Sequence, residues 1–419
     1  MSSGQPPHAA AVGPRTTGRL PLLLLVPAIF ILALNLRMGI SSVGPVLPQV
    51  VHDLGTTLVF ASLLTTIPVV MMGLASPLSA RLGARIGLER TIVVAIAVVC
   101  VATGIRYWTV SPLTLLASAV LLGCGIAAAN TMLPAVVGRY FPSHGALMTG
   151  VYAVGINAGA GIAAFGTPRL AESLPSTWRG ALSVWAGLAA VALVLWLVIA
   201  GRTPRQPLTM RVALPRPSRQ AWLAACFFGL QSIVYYGVLA WLAPLYEEQG
   251  WSKVDAGLLL SFFTAMQVVG ALTCSVFVQR HGRLADGLRA TAAVAVVGLL
   301  FVAFIPTSVP WLDMVILGAG VGGIFPLTLT VPLAMTSSID AARSLTATML
   351  FYGYLLAATG PFAVSLLRSA TGGFMAPFIL LAALSATAAC LAGRVVGPTA
   401  RAGLDSGEHL LSGVGSARL

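Results

Sequence analysis

From about residue 20 to residue 396 the chain is a succession of apolar runs, with short polar stretches between most of them. A bilayer core takes ~20 consecutive helical residues to cross. Inside it every backbone amide and carbonyl must find a partner within the chain, so runs of this length can only be helices. Twelve runs can be counted, which predicts an all-α membrane protein with twelve transmembrane helices. Charge agrees: only 8% of the 419 residues are charged and mean hydropathy is +0.93, whereas a soluble domain carries about 25% charged residues. A net charge of +13 raises the question of nucleic acid. The basic residues, however, form small clusters between apolar runs, as membrane topology requires. The expected partner is therefore the lipid bilayer and not a nucleic acid.

The one long interior polar stretch, 202–220, holds Arg202, Arg205, Arg211, Arg216 and Arg219 with four prolines. It divides the chain into a tail at 1–19, a first six-helix bundle at 20–201, a linker at 202–220, a second six-helix bundle at 221–396 and a tail at 397–419. Counting the basic residues between runs puts eighteen arginines on one side and only Arg106, Arg169, Arg179, Lys253 and Arg368 on the other. The positive-inside rule then predicts that both termini and the linker lie in the cytoplasm of a multi-pass protein of the inner membrane. No signal peptide is expected, because the start is polar and the first run holds polar residues and lacks a small-residue cleavage site. Most acids fall in the opposite loops: Asp53, Glu172, Glu247, Glu248, Asp255 and Asp313.

The two halves repeat. Asn35 precedes Pro48 by thirteen residues and is followed by Asp53 and Gly55; Gln231 precedes Pro244 by thirteen and is followed by Glu247, Glu248 and Gly250. The fourth run carries Leu122-Gly123-Cys124-Gly125 and the tenth Leu317-Gly318-Ala319-Gly320. A duplicated six-span unit predicts two pseudo-symmetric bundles with a solute site between them near the membrane midplane.

Arg37 is the residue on which a functional reading turns. It lies near the middle of the first run, where a guanidinium costs about 3 kcal/mol or more, and no run offers an Asp or Glu at that depth. Ser41, four residues on, shares its helical face, while Asn35 points elsewhere, toward a neighbouring helix. Other polar and aromatic groups fall in runs that should line a cavity: Asn130, Tyr152, Asn157, Gln231, Tyr235, Tyr236, Gln267 and Tyr354. Gln231 and Tyr235 share a face. Tyr235, Tyr236 and Trp241 can stack on a planar ligand, and Trp241 can equally anchor at the membrane interface. Gly155, Gly159, Gly161, Gly353 and Gly360 read as helix-packing positions. Cys100, Cys124, Cys226, Cys274 and Cys390, at irregular spacing, read as buried small hydrophobes and not as metal ligands. No P-loop, catalytic cluster, metal site or cofactor motif is present in the sequence, so an enzyme is not expected.

The chain resembles the major facilitator superfamily over its length. The loop Gly73 to Arg90, with Ala80-Arg81-Leu82-Gly83 and Arg85, is similar to that superfamily's cytoplasmic loop motif without its usual Asp. Leu34-Asn35-Leu36-Arg37 with Ser41-Ser42-Val43-Gly44-Pro45, Phe227-Phe228-Gly229-Leu230-Gln231-Ser232 running to Trp241 and Pro244, and Gly353-Tyr354 with Gly360-Pro361 resemble the cyanate permease and 2-nitroimidazole transporter (CynX/NimT) family. Met38 stands where that family often has Pro, and Leu350 near where it often has Gln.

The resemblance implies a major facilitator fold and secondary or facilitative transport by alternating access. The expected solute is a small anionic or electron-rich planar molecule, cyanate-like or nitroimidazole-like. Arg37 is expected to be the central clamp, with Ser41, Asn130, Asn157, Gln231, Tyr235, Tyr236 and Tyr354 completing the substrate-binding set. Protons are a candidate coupling ion and a monomer is expected. The sequence leaves two alternatives open: a proton-coupled multidrug or small-molecule efflux pump, and a receptor with a transporter-like fold.

Overall fold

In the computed structural model, residues 22–141, 144–174, 177–204, 218–336 and 339–396 are described. They form sixteen α-helices and two short 3-10 turns, with no strand among the described residues. In the first half these are α1 (Leu22–Ser41), α2 (Leu47–Leu54), α3 (Leu58–Leu74), α4 (Ser76–Ile86), α5 (Leu88–Gly104), α6 (Pro112–Tyr140), α7 (Gly145–Ser173), α8 (Thr177–Ser183) and α9 (Trp185–Arg202). The second half contains α10 (Arg219–Glu248), α11 (Lys253–His281), α12 (Leu284–Phe304), α13 (Pro310–Met335), α14 (Ile339–Ala357), α15 (Thr359–Thr371) and α16 (Met375–Val396). Eleven helices, continuous or rejoined across a break, are long and apolar enough to cross a membrane, or twelve with the bent pair α3 and α4 taken as one. Most of the linker, 205–217, and all of both tails lie outside the described residues.

Four spans are broken, and proline or glycine accounts for three of the breaks. α1 ends at Ser41 and passes through a 3-10 turn, Gly44–Val46, into α2, whose second residue is Pro48. α3 bends 52° into α4, where Pro77 cannot supply an amide hydrogen to the turn before it. α14 gives way to α15 at Ala358, ahead of Gly360 and Pro361. The fourth break, at Val184 between α8 and α9, has neither residue at its junction.

Span ends are set by local chemistry. Ser111 closes a capping box with Thr114 at the start of α6, Ser218 and Ser252 cap α10 and α11, and the left-handed Gly282 ends α11.

The halves are packed through small residues. A side chain at Gly159 of α7 would run into the Leu34 carbonyl of α1, and one at Gly270 of α11 into the Ala319 backbone of α13. Between halves, α7 lies along α11 and α3 along α14 and α15. Ser261 donates to the Gly161 carbonyl at 2.8 Å. Gly44, in the break of the first span, approaches the Leu239 and Ala240 carbonyls of α10 so closely that a Cβ would stand 3.1 and 3.2 Å from them. The Gly44 and Ser261 contacts lie toward the side away from the start of α1 and the end of α16, here called the distal face, whereas α3 meets α14 nearer the opposite side, where Gly73 stands against the Phe351 carbonyl.

Buried tryptophans each give their N–H a partner: Trp178 to Asp53 (2.8 Å), Trp196 to the Ala28 carbonyl (3.2 Å) and Trp241 to the Pro361 carbonyl (2.9 Å). Trp241 is wholly buried within the second half, so it neither anchors at the membrane surface nor faces a ligand. The cysteines also depart from expectation: four are half-buried and Cys390 is exposed, although Cys100 and Cys274 pack against the bundle cores.

Candidate functional site

Arg37 lies four residues before the end of α1, ahead of the break, and is 8% exposed. Its guanidinium crosses to the other half of the molecule. Nη1 donates to the Tyr236 hydroxyl at 2.5 Å, and the guanidinium carbon lies 4.8 Å from the Tyr235 ring centroid and 4.9 Å from that of Tyr236. The two tyrosine rings meet edge to face at 5.0 Å. Tyr354 of α14 lies within electrostatic reach of Arg37, and Tyr152 of α7 within reach of Tyr354. Arg37 has no carboxylate partner among the described residues. Its charge is met by hydroxyl and aromatic faces alone, each desolvated cation–π contact contributing up to about 2 kcal/mol. Tyr236, itself 2% exposed, also reaches the Met72 sulfur of α3 at 3.7 Å.

Arg37, Tyr235, Tyr236 and Tyr354 therefore come together, while the remaining residues predicted for the site stand differently. Ser41 is fully buried and its hydroxyl has no partner. Gln231 is buried and its amide donates to Ser232 at 2.7 Å. Asn157 is half-buried, bonds the Ala153 carbonyl of its own helix at 3.0 Å, and lines a groove of ≈ 410 Å³ between α7 and α11. Asn130 is half-buried on α6 and no hydrogen bond joins it to Arg37. Asn35 does not reach a neighbouring helix; its amide donates to the Ile31 carbonyl at 2.8 Å, since one turn back is the nearest acceptor.

Two charges counted as loop residues are instead interior. Arg106, in the 3-10 turn ending the third span, is fully buried. It donates through Nη1 to the Gly39 carbonyl (2.9 Å) and through Nε to Ser118 (3.3 Å). It thus caps a carbonyl left free where α1 breaks, two residues beyond Arg37, an arrangement that also suits the negative end of the helix dipole. Asp313 is fully buried in the first turn of α13. Sequence reasoning set both in loops because each lies within two to four residues of a span boundary, and depth at a boundary is decided by packing. A third interior charge, Glu89, is 4% exposed and accepts from Arg139 at 3.1 Å and from Tyr140 at 2.6 Å. Glu248 pairs with Arg368, and Asp53 with Arg179 at 3.5 Å.

The family profile of the Major Facilitator Superfamily matches residues 29–361. The chain belongs to this superfamily. Among its relatives, this facilitator is 31% identical to the cyanate transport protein of Escherichia coli over 361 residues, 84% of this chain and 91% of that protein. It is 30% identical to the 2-nitroimidazole transporter of the same organism over 87% of this chain and 93% of the relative. An uncharacterized transporter of Bacillus subtilis is 29% identical over 86% and 90%. Solved structures share the fold: a D-xylose-proton symporter (TM-score 0.69, 15% identity, covering 90% of this chain and 98% of that one) and a POT family transporter in complex with 5-aminolevulinic acid (TM-score 0.71, 15% identity, 87% and 94%). The facilitator is a multi-pass membrane transporter and not an enzyme. The interior arginine of α1 and the tyrosines of α10 and α14 fall at the interface of its two bundles.

Proposed function

We propose that the protein carries a small anionic or electron-rich planar solute across the inner membrane by alternating access, with both termini cytoplasmic and Arg37 holding the solute. One observation carries this reading: a guanidinium near the middle of the first span, without an acidic partner among the described residues, is faced by two tyrosine rings of the opposite half. A buried charge whose partners are all neutral retains a net field that an anion can satisfy. The flat walls of Tyr235 and Tyr236 suit a planar group, and the guanidinium fork can hold two acceptor atoms at once. Because the contact joins the two bundles, a solute bound there touches both and can bias their relative position. Ser41, Asn130, Asn157, Gln231 and Tyr354 complete the proposed set. The names of the cyanate and 2-nitroimidazole relatives agree with this chemistry.

Counterflow of labelled cyanate and of 2-nitroimidazole in proteoliposomes tests the assignment. Arg37→Gln is expected to lower counterflow at least 100-fold. Arg37→Lys, which keeps charge but loses the planar fork, should lower it at least 10-fold. Full activity in Arg37→Gln overturns the assignment.

The efflux-pump alternative is favoured by one feature, the groove between α7 and α11. Its wall includes Val154, Ile162 and Phe165, all exposed on the membrane side, beside Asn157, Ser261 and Thr264, so an apolar solute could enter from the bilayer. Transport of lipophilic cations in place of the two planar probes would select that reading.

A further inference from the structure

Asp313 is the one fully buried carboxylate among the described residues with both oxygens unpartnered, and the transport reading leaves it without a task. Its side chain is fully buried, and neither carboxylate oxygen has a hydrogen-bond partner. In the repeat, Asp313 precedes Leu317-Gly318-Ala319-Gly320 by the same four residues that separate Ser118 from Leu122-Gly123-Cys124-Gly125. The first half fills this position with a hydroxyl that donates to the Leu115 carbonyl at 2.6 Å and accepts from Arg106. The second half fills it with an acid that nothing satisfies. A packing role would be served by the serine; the acid replaces a satisfied group with a costly one.

Among the described residues, no cationic side chain pairs with it. Tyr246 of α10 is the titratable group facing it, and the Tyr246 hydroxyl is already turned to the Pro306 carbonyl at 2.9 Å. Of the other charges at this end of α10, α11 and α15, Glu248 pairs with Arg368, Asp255 accepts from Ser252, and Lys253 stands in the field of Glu247, whose buried Oε1 also lacks a partner. The last turn of α12 and the first turns of α16 carry no titratable side chain. The amino end of α13 favours an anion, but a helix end returns only a fraction of what desolvating a carboxylate costs.

We propose that Asp313 is the proton-exchanging carboxyl group of the transport cycle. It holds a proton while the distal face is packed shut, and it releases that proton to water when the face opens, so that solute and proton movements are linked. The step is a simple exchange: an O–H bond to one carboxylate oxygen forms from hydronium and breaks back to water. The inference rests on the protein being a transporter and is independent of the role given to Arg37.

Infrared difference spectra of the purified full-length protein in lipid nanodiscs, titrated across neutral pH, test it directly. The wild type is expected to show the carbonyl band of a protonated carboxyl group at neutral pH, kept in Glu247→Gln and lost in Asp313→Asn. Survival of the band in Asp313→Asn, or its absence from the wild type, overturns the proposal. Asn matches the neutral acid in shape, so the variant should fold; should it not, a displaced band in Asp313→Glu supports the assignment and an unmoved one defeats it. In proteoliposomes, Asp313→Asn should keep counterflow of cyanate or 2-nitroimidazole within twofold and lose at least 10-fold of the accumulation driven by an imposed pH gradient. Accumulation that ignores the gradient in the wild type also overturns the coupling. Failure of both probes in the wild type would count against the solute reading alone, since the infrared arm needs no solute.

Discussion

The bond from Arg37 to the Tyr236 hydroxyl has an energetic consequence. A hydrogen bond from a buried charge contributes about 1.5–3 kcal/mol, and here it links the two halves of the molecule. Tyr236→Phe keeps the ring over the guanidinium and removes only this bond. We expect the variant to unfold at lower temperature without solute, by an amount equivalent to about 1–3 kcal/mol, in a thermal-shift assay in nanodiscs. An unchanged transition would show that the hydroxyl bond contributes nothing to holding the halves together. That Arg37 would be interior, and cationic without an acid, was legible in its position within the first run. Its partners were not: Tyr235 and Tyr236 lie about two hundred residues away, and only the packing of the first span, through its Gly44–Val46 turn, against α10 decides which tyrosines meet it.

At the scale of elements, the site depends on how α1 is held. Two contacts fix it. Gly159 lets α7 approach the Leu34 carbonyl, and Arg106 caps the Gly39 carbonyl at the break. In Gly159→Val the new side chain would meet backbone, which cannot swing aside as a side-chain end can. Overpacking of this kind costs about 1–3 kcal/mol or more, so the variant should show reduced yield of folded protein and a lowered melting temperature. Gly187→Ala of α9, where a Cβ meets nothing within 4 Å, is the matched control and should be silent. The packing glycines could be read from spacing, because small residues recurring along an apolar helix have few other uses. Arg106 could not, because its residue type and position near a loop are those of an ordinary topology charge. Its burial follows from the need of a broken helix for a donor, which is visible only once the break is located.

For the whole molecule, the ion pairs Asp53–Arg179 and Glu248–Arg368 each stay within one half. They stiffen the bundles and do not join them. What joins the halves on the distal face is close backbone contact, Ser261 to Gly161 and Gly44 to Leu239 and Ala240, which can part without stranding a charge. A disulfide between cysteines placed at positions 161 and 261, with the five native cysteines replaced, should abolish transport of a proven solute, and reduction should restore it. Transport that continues with the cross-link formed would mean that the halves do not separate at this contact.

The sequence alone determined that the chain lies in a membrane, how many spans it has, that it is duplicated, and that a deep arginine needs an unusual partner. Length, hydropathy and spacing are local quantities, and the bilayer turns them into architecture because it leaves so few backbone structures available. Tertiary structure alone decided which charges are interior. Arg106 and Asp313 stand at span boundaries, where a shift of one helical turn separates water from protein, and the neighbours that bury them come from other helices. The same holds for Trp241 and Asn157: a helix has several faces, and the order of residues along it does not say which face meets the cavity, the other bundle or the lipid.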